Sequence, residues 1–114
     1  LYVFEFDSPM GIDRGAPMDQ LPMSYFLGQN YPNPFNPVTS ITYNIEDATN
    51  VTIRIYDLLG HRVKTLVNEK KNPGSYLTLW DGLDQSGAKV ASGFYICRLE
   101  TDRFTATKKM LLLK

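Results

Sequence analysis

Residues 74–114, with the sequence GSYLTLWDGLDQSGAKVASGFYICRLETDRFTATKKMLLLK, are the stretch that decides the fold. They contain three strand-like segments, which are Ser75–Trp80, Phe94–Thr101 and Phe104–Leu113. Between the first two, Asp84-Gln85-Ser86-Gly87 has the residue types of a tight turn. The stretch carries no catalytic motif. It predicts the end of a small β-sandwich, and we expect its last strand to be the end of the polypeptide.

Upstream of this stretch, three more segments alternate between apolar and polar residues. They are Val38–Ile45, Asn50–Asp57 and Arg62–Glu69, and Gly60 can supply a positive φ in the connection between the last two. Short strands separated this regularly by turn residues are typical of an all-β sandwich. No segment combines a helical period with helix caps, so we expect essentially no helix.

The segment Tyr25–Pro37, YFLGQNYPNPFNP, is predicted to be a stiff and extended entry into the sandwich. Three prolines fix φ and remove backbone donors, namely Pro32, Pro34 and Pro37. Asn33 and Asn36 can close turns on their own backbone. Phe35 has no polar role in this segment, and we interpret it as a plug under the sandwich. The sandwich domain is therefore expected to run over residues 25–114.

Residues 1–24 are predicted to be one strand followed by a linker. The candidate strand alternates in side-chain direction and consists of Leu1, Tyr2, Val3, Phe4, Glu5 and Phe6. Asp7–Met23 contains prolines and glycines without a periodic apolar pattern, which is typical of a linker. Because an isolated strand is unstable in water, Leu1–Phe6 needs a partner. It either ends a preceding domain or adds to a sheet of this domain or of a neighbouring molecule.

The composition argues against several functional classes. The 114 residues carry 12 basic and 12 acidic side chains, so no net charge attracts nucleic acid or an anionic membrane. No apolar run approaches the roughly 18 residues that a membrane-spanning helix needs. The chain starts at Leu1 and shows no signal peptide, so we expect a fragment or a processed product. Cys97 is the only cysteine, which excludes a disulfide within the chain and a cysteine cluster for a metal.

The few candidate ionisable groups have structural explanations. His61 is the only histidine, follows a turn, and is expected to be an exposed loop residue. Asp57, Asp81 and Asp84 suggest calcium, but DGLDQSG lacks the alternate-residue pattern of carboxylates in a calcium loop. Turn chemistry is the favoured explanation, with Asp84 capping a turn closed by Gly87 and Asp81 bonding amides in its loop. Calcium binding remains the alternative.

Three other features also allow two explanations each. Trp80 could form a sugar-stacking platform with three tyrosines, Tyr31, Tyr76 and Tyr95. Its place at a strand end beside a glycine turn favours a core-edge position with a locally bonded indole N–H. Cys97 lies in the middle of a predicted strand and is expected to be a buried, inert thiol. The basic residues of the tail either protect an edge strand from unwanted pairing or form part of a recognition tag, and they are Lys108, Lys109 and Lys114.

Three segments in order resemble the C-terminal sorting domains, type A, of the bacterial type IX secretion system. The opening of these domains is similar to LGQNYPNPFNPVTSITYNI, Leu27–Ile45, and their central hairpin is similar to VTIRIYDLLGHRVKTLV, Val51–Val67. Their final section is similar to WDGLDQSGAKVASGFYICRLETDRFTATKKMLLLK, Trp80–Lys114. The middle and final segments also resemble the immunoglobulin-like domain of the flagellar hook-capping protein. Cys97 stands where family members commonly carry an aromatic residue, a difference that bears on packing.

The resemblance implies a seven-stranded, antiparallel, immunoglobulin-like β-sandwich at the end of a larger secreted protein. In that family, the outer-membrane export machinery of Bacteroidetes-type, Gram-negative bacteria recognises the domain. A surface peptidase then typically removes it or exchanges it for a lipopolysaccharide anchor. By position, the implied recognition residues are Gly93, Tyr95, Lys109, Met110, Leu111, Leu112, Leu113 and Lys114. A terminal strand such as Phe104–Leu113 also suits recognition by strand addition.

Two functional hypotheses follow from these patterns. The first is a non-catalytic export, sorting and cell-surface attachment signal, whose partner is the outer-membrane export machinery or a surface peptidase. The second is a structural or adhesive subunit that assembles outside the cell by donating Leu1–Phe6 to a neighbouring copy. An enzyme is not expected, because a sandwich this small offers few convergent ionisable groups. We expect no cofactor, no nucleic-acid partner and no membrane span.

Overall fold

The computed structural model describes residues 24–114, which form seven β-strands and no helix. The strands are β1 (Phe26–Leu27), β2 (Thr39–Ile45), β3 (Thr49–Asp57), β4 (Arg62–Lys71), β5 (Gly74–Trp80), β6 (Gly93–Glu100) and β7 (Thr105–Leu112). They make a three-stranded sheet in the order β1-β2-β5 and a four-stranded sheet in the order β4-β3-β6-β7. All neighbouring strands pair antiparallel. The predicted all-β, immunoglobulin-like sandwich is therefore confirmed.

Strands β2 to β7 lie where the sequence pattern predicts strands, with ends that differ by one to a few residues. The sequence pattern does not predict β1, because two residues are too few for alternation to be recognised. It exists because Phe26 and Leu27 pair with Asn44 and Tyr43 of β2. The segment predicted to be an extended entry thus contributes a strand to one sheet.

The core lies between the sheets and is built from alternate residues of the strands. The buried strand residues include Ile41, Tyr43, Ile45, Val51, Ile53, Ile55, Tyr95, Cys97, Leu99, Met110 and Leu112. Trp80, at the end of β5, is fully buried. Its ring meets Tyr95 edge-on with the centroids 5.3 Å apart, and the ring of Phe35 lies 5.5 Å away. The alternation seen in the sequence thus becomes the apolar interface between the two sheets.

Phe35 is buried, as predicted, and it also pairs with the last strand. Its backbone N–H donates to the carbonyl of Leu111, and its carbonyl accepts from the N–H of Leu113, both at 3.0 Å. Asn33 was expected to bond its own backbone, but its Oδ1 accepts the N–H of Leu111 at 3.0 Å. Residues 29–35, here called the entry clamp, therefore run along the outer edge of β7.

The predicted strand Leu1–Phe6 and the linker Asp7–Met23 lie outside the described residues. The proposed division of the chain into residues 1–24 and 25–114 therefore stays a prediction. Among residues 24–114, no helix has the length and apolar character that a membrane crossing requires.

Replacing Phe35 with alanine is expected to destabilise the domain by about 3–5 kcal/mol, because a buried ring is lost and a cavity remains. Urea unfolding followed by tryptophan fluorescence measures this change, since Trp80 is the only tryptophan. The control is Phe26→Ala, because Phe26 is 50% exposed and its truncation should cost much less. Equal losses in the two variants would contradict the role given to Phe35.

Candidate functional site

The residues implied in recognition lie together at one end of the four-stranded sheet. In the β6–β7 register, Gly93 lies opposite Leu112, and Tyr95 lies opposite Met110. Residues that are far apart in the sequence are thus cross-strand neighbours. Because β7 is the edge strand of its sheet, these residues lie beside a strand edge as well as near an outer face.

Side-chain direction divides these residues into two sets. One set points into the core and is buried, and it consists of Tyr95, Met110 and Leu112. The other set lies on the outer face or at the chain end, and with Phe94 it forms what we call the C-terminal patch: Phe94, Lys109, Leu111, Leu113 and Lys114. A partner that meets the folded domain can therefore contact the C-terminal patch and the half-buried Gly93, whereas Tyr95, Met110 and Leu112 are covered.

The C-terminal patch combines apolar surface with positive charge. Phe94 and Leu113 are 45% and 48% exposed, and Leu111 lies directly opposite Phe94 across the two strands. The Nζ atom of Lys109 lies 4.9 Å from the centroid of the Phe94 ring, which is a cation–π geometry. The backbone N–H of Lys114 donates to Oγ of Ser92 at 3.0 Å, so the end of the tail is held against the domain.

Gly93 and Tyr95 have structural tasks in addition to the predicted recognition. The φ angle of Gly93 is 148°, a conformation that favours glycine, although a Cβ atom there would meet nothing within 4 Å. The hydroxyl of Tyr95 donates to the carbonyl of Ala91 at 2.6 Å, and burial raises the pKa of Tyr95. Recognition through these two residues stays a prediction.

The entry clamp occupies the C-terminal half of the outer edge of β7. In addition to the bonds of Asn33 and Phe35 with β7 described above, Nε2 of Gln29 donates to the carbonyl of Lys109 at 2.9 Å. Backbone groups alternate in direction along a strand, so Thr105 and Thr107 also direct theirs outward. No strand of residues 24–114 pairs with that part of the edge. Strand addition along the whole of Phe104–Leu113 therefore requires displacement of the entry clamp.

The loop after Trp80 is explained by turn chemistry. The indole N–H of Trp80 donates to the carbonyl of Leu83 at 2.9 Å, and Oδ1 of Asp81 accepts the N–H of Leu83 at 3.1 Å. Trp80 is buried, so it does not belong to an exposed sugar-stacking platform. These contacts agree with the core-edge position that the sequence favours.

The carboxylate of Asp84 organises the following turn. Its Oδ1 accepts from Oγ of Ser86 at 2.6 Å and from the N–H groups of Ser86 and Ala88, while Gly87 closes the backbone turn. These bonds, the one to the Ser86 hydroxyl first, hold the pKa of Asp84 below its usual value. Within residues 24–114, no three His, Cys, Asp or Glu side chains converge on a metal position.

Cys97 and His61 lie where the sequence predicts them. Cys97 is 1% exposed, and burial raises the pKa of its thiol to about 12, which disfavours the reactive thiolate. His61 lies in the exposed β3–β4 turn, where its Nδ1 is 3.2 Å from Oδ2 of Asp57. Hydrogen bonds from the turn, that of the His61 N–H above all, lower the pKa of Asp57. The pair stabilises the turn.

Comparison with protein families gives one match. Residues 36–103, which are more than half of the chain, match the FlgD Ig-like domain. The chain belongs to the FlgD Ig-like domain family. The match includes all of β2 to β6 and ends before β7, so the C-terminal patch lies mostly beyond it. A search of curated proteins finds no significant match.

Solved structures contain similar domains. Dimeric latent PorU from Porphyromonas gingivalis is similar over 90% of this chain, with a TM-score of 0.61 and 22% identity. FlgD from P. aeruginosa is similar over 65% of this chain, with a TM-score of 0.52 and 26% identity. PorZ, described as an essential bacterial surface component of the type-IX secretion system of P. gingivalis, is similar over 79% of this chain, with a TM-score of 0.51 and 16% identity.

This FlgD Ig-like domain spans only part of each of those proteins: 10% of the PorU chain, 57% of the FlgD chain and 11% of the PorZ chain. The likenesses to PorU and PorZ show the fold alone. The same type of sandwich thus occurs in PorZ, which is described as a bacterial surface component of a secretion system.

Sequence reasoning missed the residues of the entry clamp that bond to β7. The bond between Asn33 and Leu111 spans 78 positions, and the bond between Gln29 and Lys109 spans 80. Local patterns carry no signal for such contacts. Asparagine side chains commonly bond their own backbone in such segments. For Asn33 this expectation is wrong, because its side chain bonds to Leu111 instead.

The variant Asn33→Ala is expected to loosen the end of β7, because the N–H of Leu111 loses its acceptor. A loss of one such hydrogen bond costs about 0.5–1.5 kcal/mol. Hydrogen exchange of the Leu111 amide, which should become faster, measures the effect. Asn36→Ala is the control, since Asn36 is exposed in the same segment. Unchanged exchange at Leu111 would show that the entry clamp does not hold this strand.

Proposed function

We propose that residues 25–114 act as a non-catalytic C-terminal module of an exported bacterial protein, in the manner of the type A sorting domains of type IX secretion. The module serves as the signal for export and cell-surface attachment. Its partner is the outer-membrane export machinery or a surface peptidase, and its location is outside the cell or on the surface of a Gram-negative, Bacteroidetes-type bacterium. The observation that carries the proposal is the C-terminal patch, an exposed apolar and basic surface at the end of the last strand.

Membership of the FlgD Ig-like domain family supports a non-catalytic module. The fold shared with PorZ, a surface component of the type-IX secretion system, supports a connection with such proteins. Directly after the final strand, Leu113 is exposed while its neighbour Leu112 is buried. Grouped exposed apolar residues, unlike single ones, are typical of interaction sites. The C-terminal patch combines three apolar residues with Lys109 and Lys114, which is typical of a surface that binds a protein partner.

The hydrogen bonds along the edge of β7 limit which groups of the module a partner can contact. The entry clamp already bonds to four outward backbone groups, which are the carbonyl of Lys109, the N–H and carbonyl of Leu111, and the N–H of Leu113. A partner of the folded domain therefore contacts side chains of the C-terminal patch, and it can add backbone hydrogen bonds at Thr105 and Thr107. Met110 and Leu112 act indirectly, because their burial holds the patch in place.

Export of the parent protein with Leu113→Ser and Lys114→Ser tests the proposal. We expect secretion to fall while thermal stability stays the same, because both side chains are exposed. The matched control is Leu59→Ser, since Leu59 is 81% exposed in the β3–β4 turn and lies outside the patch. Unchanged secretion, both in this variant and after deletion of Lys109–Lys114, would contradict the proposal.

A second candidate function is extracellular self-assembly by donation of Leu1–Phe6 to a neighbouring copy. The observation that favours it is β5, an edge strand whose seven residues include no charge and no proline. Leu77 and Leu79 on its outer face are 60% and 57% exposed. Natural edge strands are usually protected by charge, proline or a covering segment, so β5 is suited to accept another strand.

Light scattering of the full chain and of a chain that starts at Ser24 tests this assembly. The full chain should have the mass of an oligomer and the truncated chain that of a monomer. Leu77→Lys in the full chain should reduce the mass, because a charge then lies on the accepting strand. Leu58→Lys is the matched control, since Leu58 is equally exposed in a turn. The same number of copies in both particles would exclude strand donation by Leu1–Phe6.

A further inference from the structure

The outer face of the four-stranded sheet concentrates positive charge in a chain that has no net charge. Arg54 on β3 lies directly opposite Arg98 on β6. In the adjacent cross-strand row, Arg62 and Lys109 stand at either side of Tyr56 and Ile96. Like charges placed directly opposite each other on a sheet are destabilising. This arrangement favours an opposite charge at the same face.

Among residues 24–114, only part of that opposite charge is supplied at the arginine pair. Glu100 shares its carboxylate between the two arginines, with Oε1 3.9 Å from Nη1 of Arg54 and Oε2 3.3 Å from Nη2 of Arg98. The first distance is too long for a hydrogen bond. The Nε atoms of Arg54 and Arg98 are buried, and neither finds a hydrogen-bond partner in the described part of the chain. Among residues 24–114, one carboxylate thus serves two guanidinium groups, and each group keeps a buried Nε–H without an acceptor.

A groove of about 440 Å³ lies beside Arg54, and its lining consists of Arg54, Arg62, Val63, Thr65, Asn68 and Gln85. The lining residues include two arginines and no aspartate or glutamate. Gln85 is fixed there, because its backbone N–H donates to Val63 at 2.9 Å and its Oε1 accepts the N–H of Thr65 at 3.0 Å. With its oxygen engaged, Gln85 has its amide N–H groups left to donate. The groove is therefore rich in donors and positively charged.

We propose that this groove binds an oxyanion, a phosphate or carboxylate group of a small ligand. Arg54 and Arg62 supply the charge, and Asn68 and Gln85 supply neutral donors. The planar fork of arginine matches both oxyanions with paired hydrogen bonds, which a point charge such as that of lysine cannot do. Arg98 raises the local positive potential and competes for Glu100, which frees Arg54 for the ligand. This site is separate from the C-terminal patch and does not depend on the sorting role.

Nuclear magnetic resonance of the full chain labelled with ¹⁵N tests the proposal, with sodium phosphate, sodium citrate and sodium chloride added at matched ionic strength. We expect saturable shifts of the Arg54 Nε–H and Gln85 side-chain amide signals with phosphate, with citrate or with both. The comparison of the two salts shows which oxyanion the groove prefers. Shifts that are absent, or that equal those caused by chloride, would overturn the proposal.

Variants separate a built site from general charge attraction. Arg54→Gln should weaken binding at least about 10-fold, and Arg54→Lys should restore only part of it, because lysine keeps the charge and loses the fork. Arg62→Gln, at an exposed position, is the second variant if Arg54→Gln perturbs folding. Arg103→Gln is the control, since Arg103 has a side chain that is 76% exposed and lies on the β6–β7 turn. Equal weakening by Arg103→Gln would show that the groove has no specific role.

Discussion

The pairing of Phe35 with the last strand is the contact on which the rest of the domain depends. Its backbone bonds to Leu111 and Leu113, while its ring lies in the core against Trp80. The entry clamp continues from β1, which belongs to the three-stranded sheet, and it ends on β7 of the four-stranded sheet. One segment thus joins both layers, seals one end of the core and covers half of an open strand edge.

Local patterns in the sequence account for most of the fold. Alternation predicts β2 to β7 and their buried faces, because each strand has one side in the core. The turn at Asp84 is also predictable, since the hydrogen bonds of the Asp84 carboxylate reach no further than Ala88. The entry clamp could not be predicted, because its partners lie about 80 positions away and the residues involved have equally good local explanations.

The same distinction applies to the candidate sites. Position in the sequence singles out residues 109–114 as one group, whereas the structure separates buried Met110 and Leu112 from the exposed C-terminal patch. A net charge of zero argues against strong attraction of anionic polymers, and it conceals the pairing of Arg54 with Arg98 on one face. Both distinctions depend on which strands are neighbours, a property that only the assembled sheets define.

The order in which parts of the chain are synthesised gives the entry clamp a further consequence. The partners of residues 29–35 are at 109–113, so the clamp cannot close on the ribosome until β7 has emerged from the exit tunnel. Contacts of this sequence separation also form late in folding, because a long loop must close first. Until then, the backbone of Phe35 lacks its partner strand, and one edge of β6 is unpaired. The contact that joins the two sheets at this end is therefore among the last that translation allows.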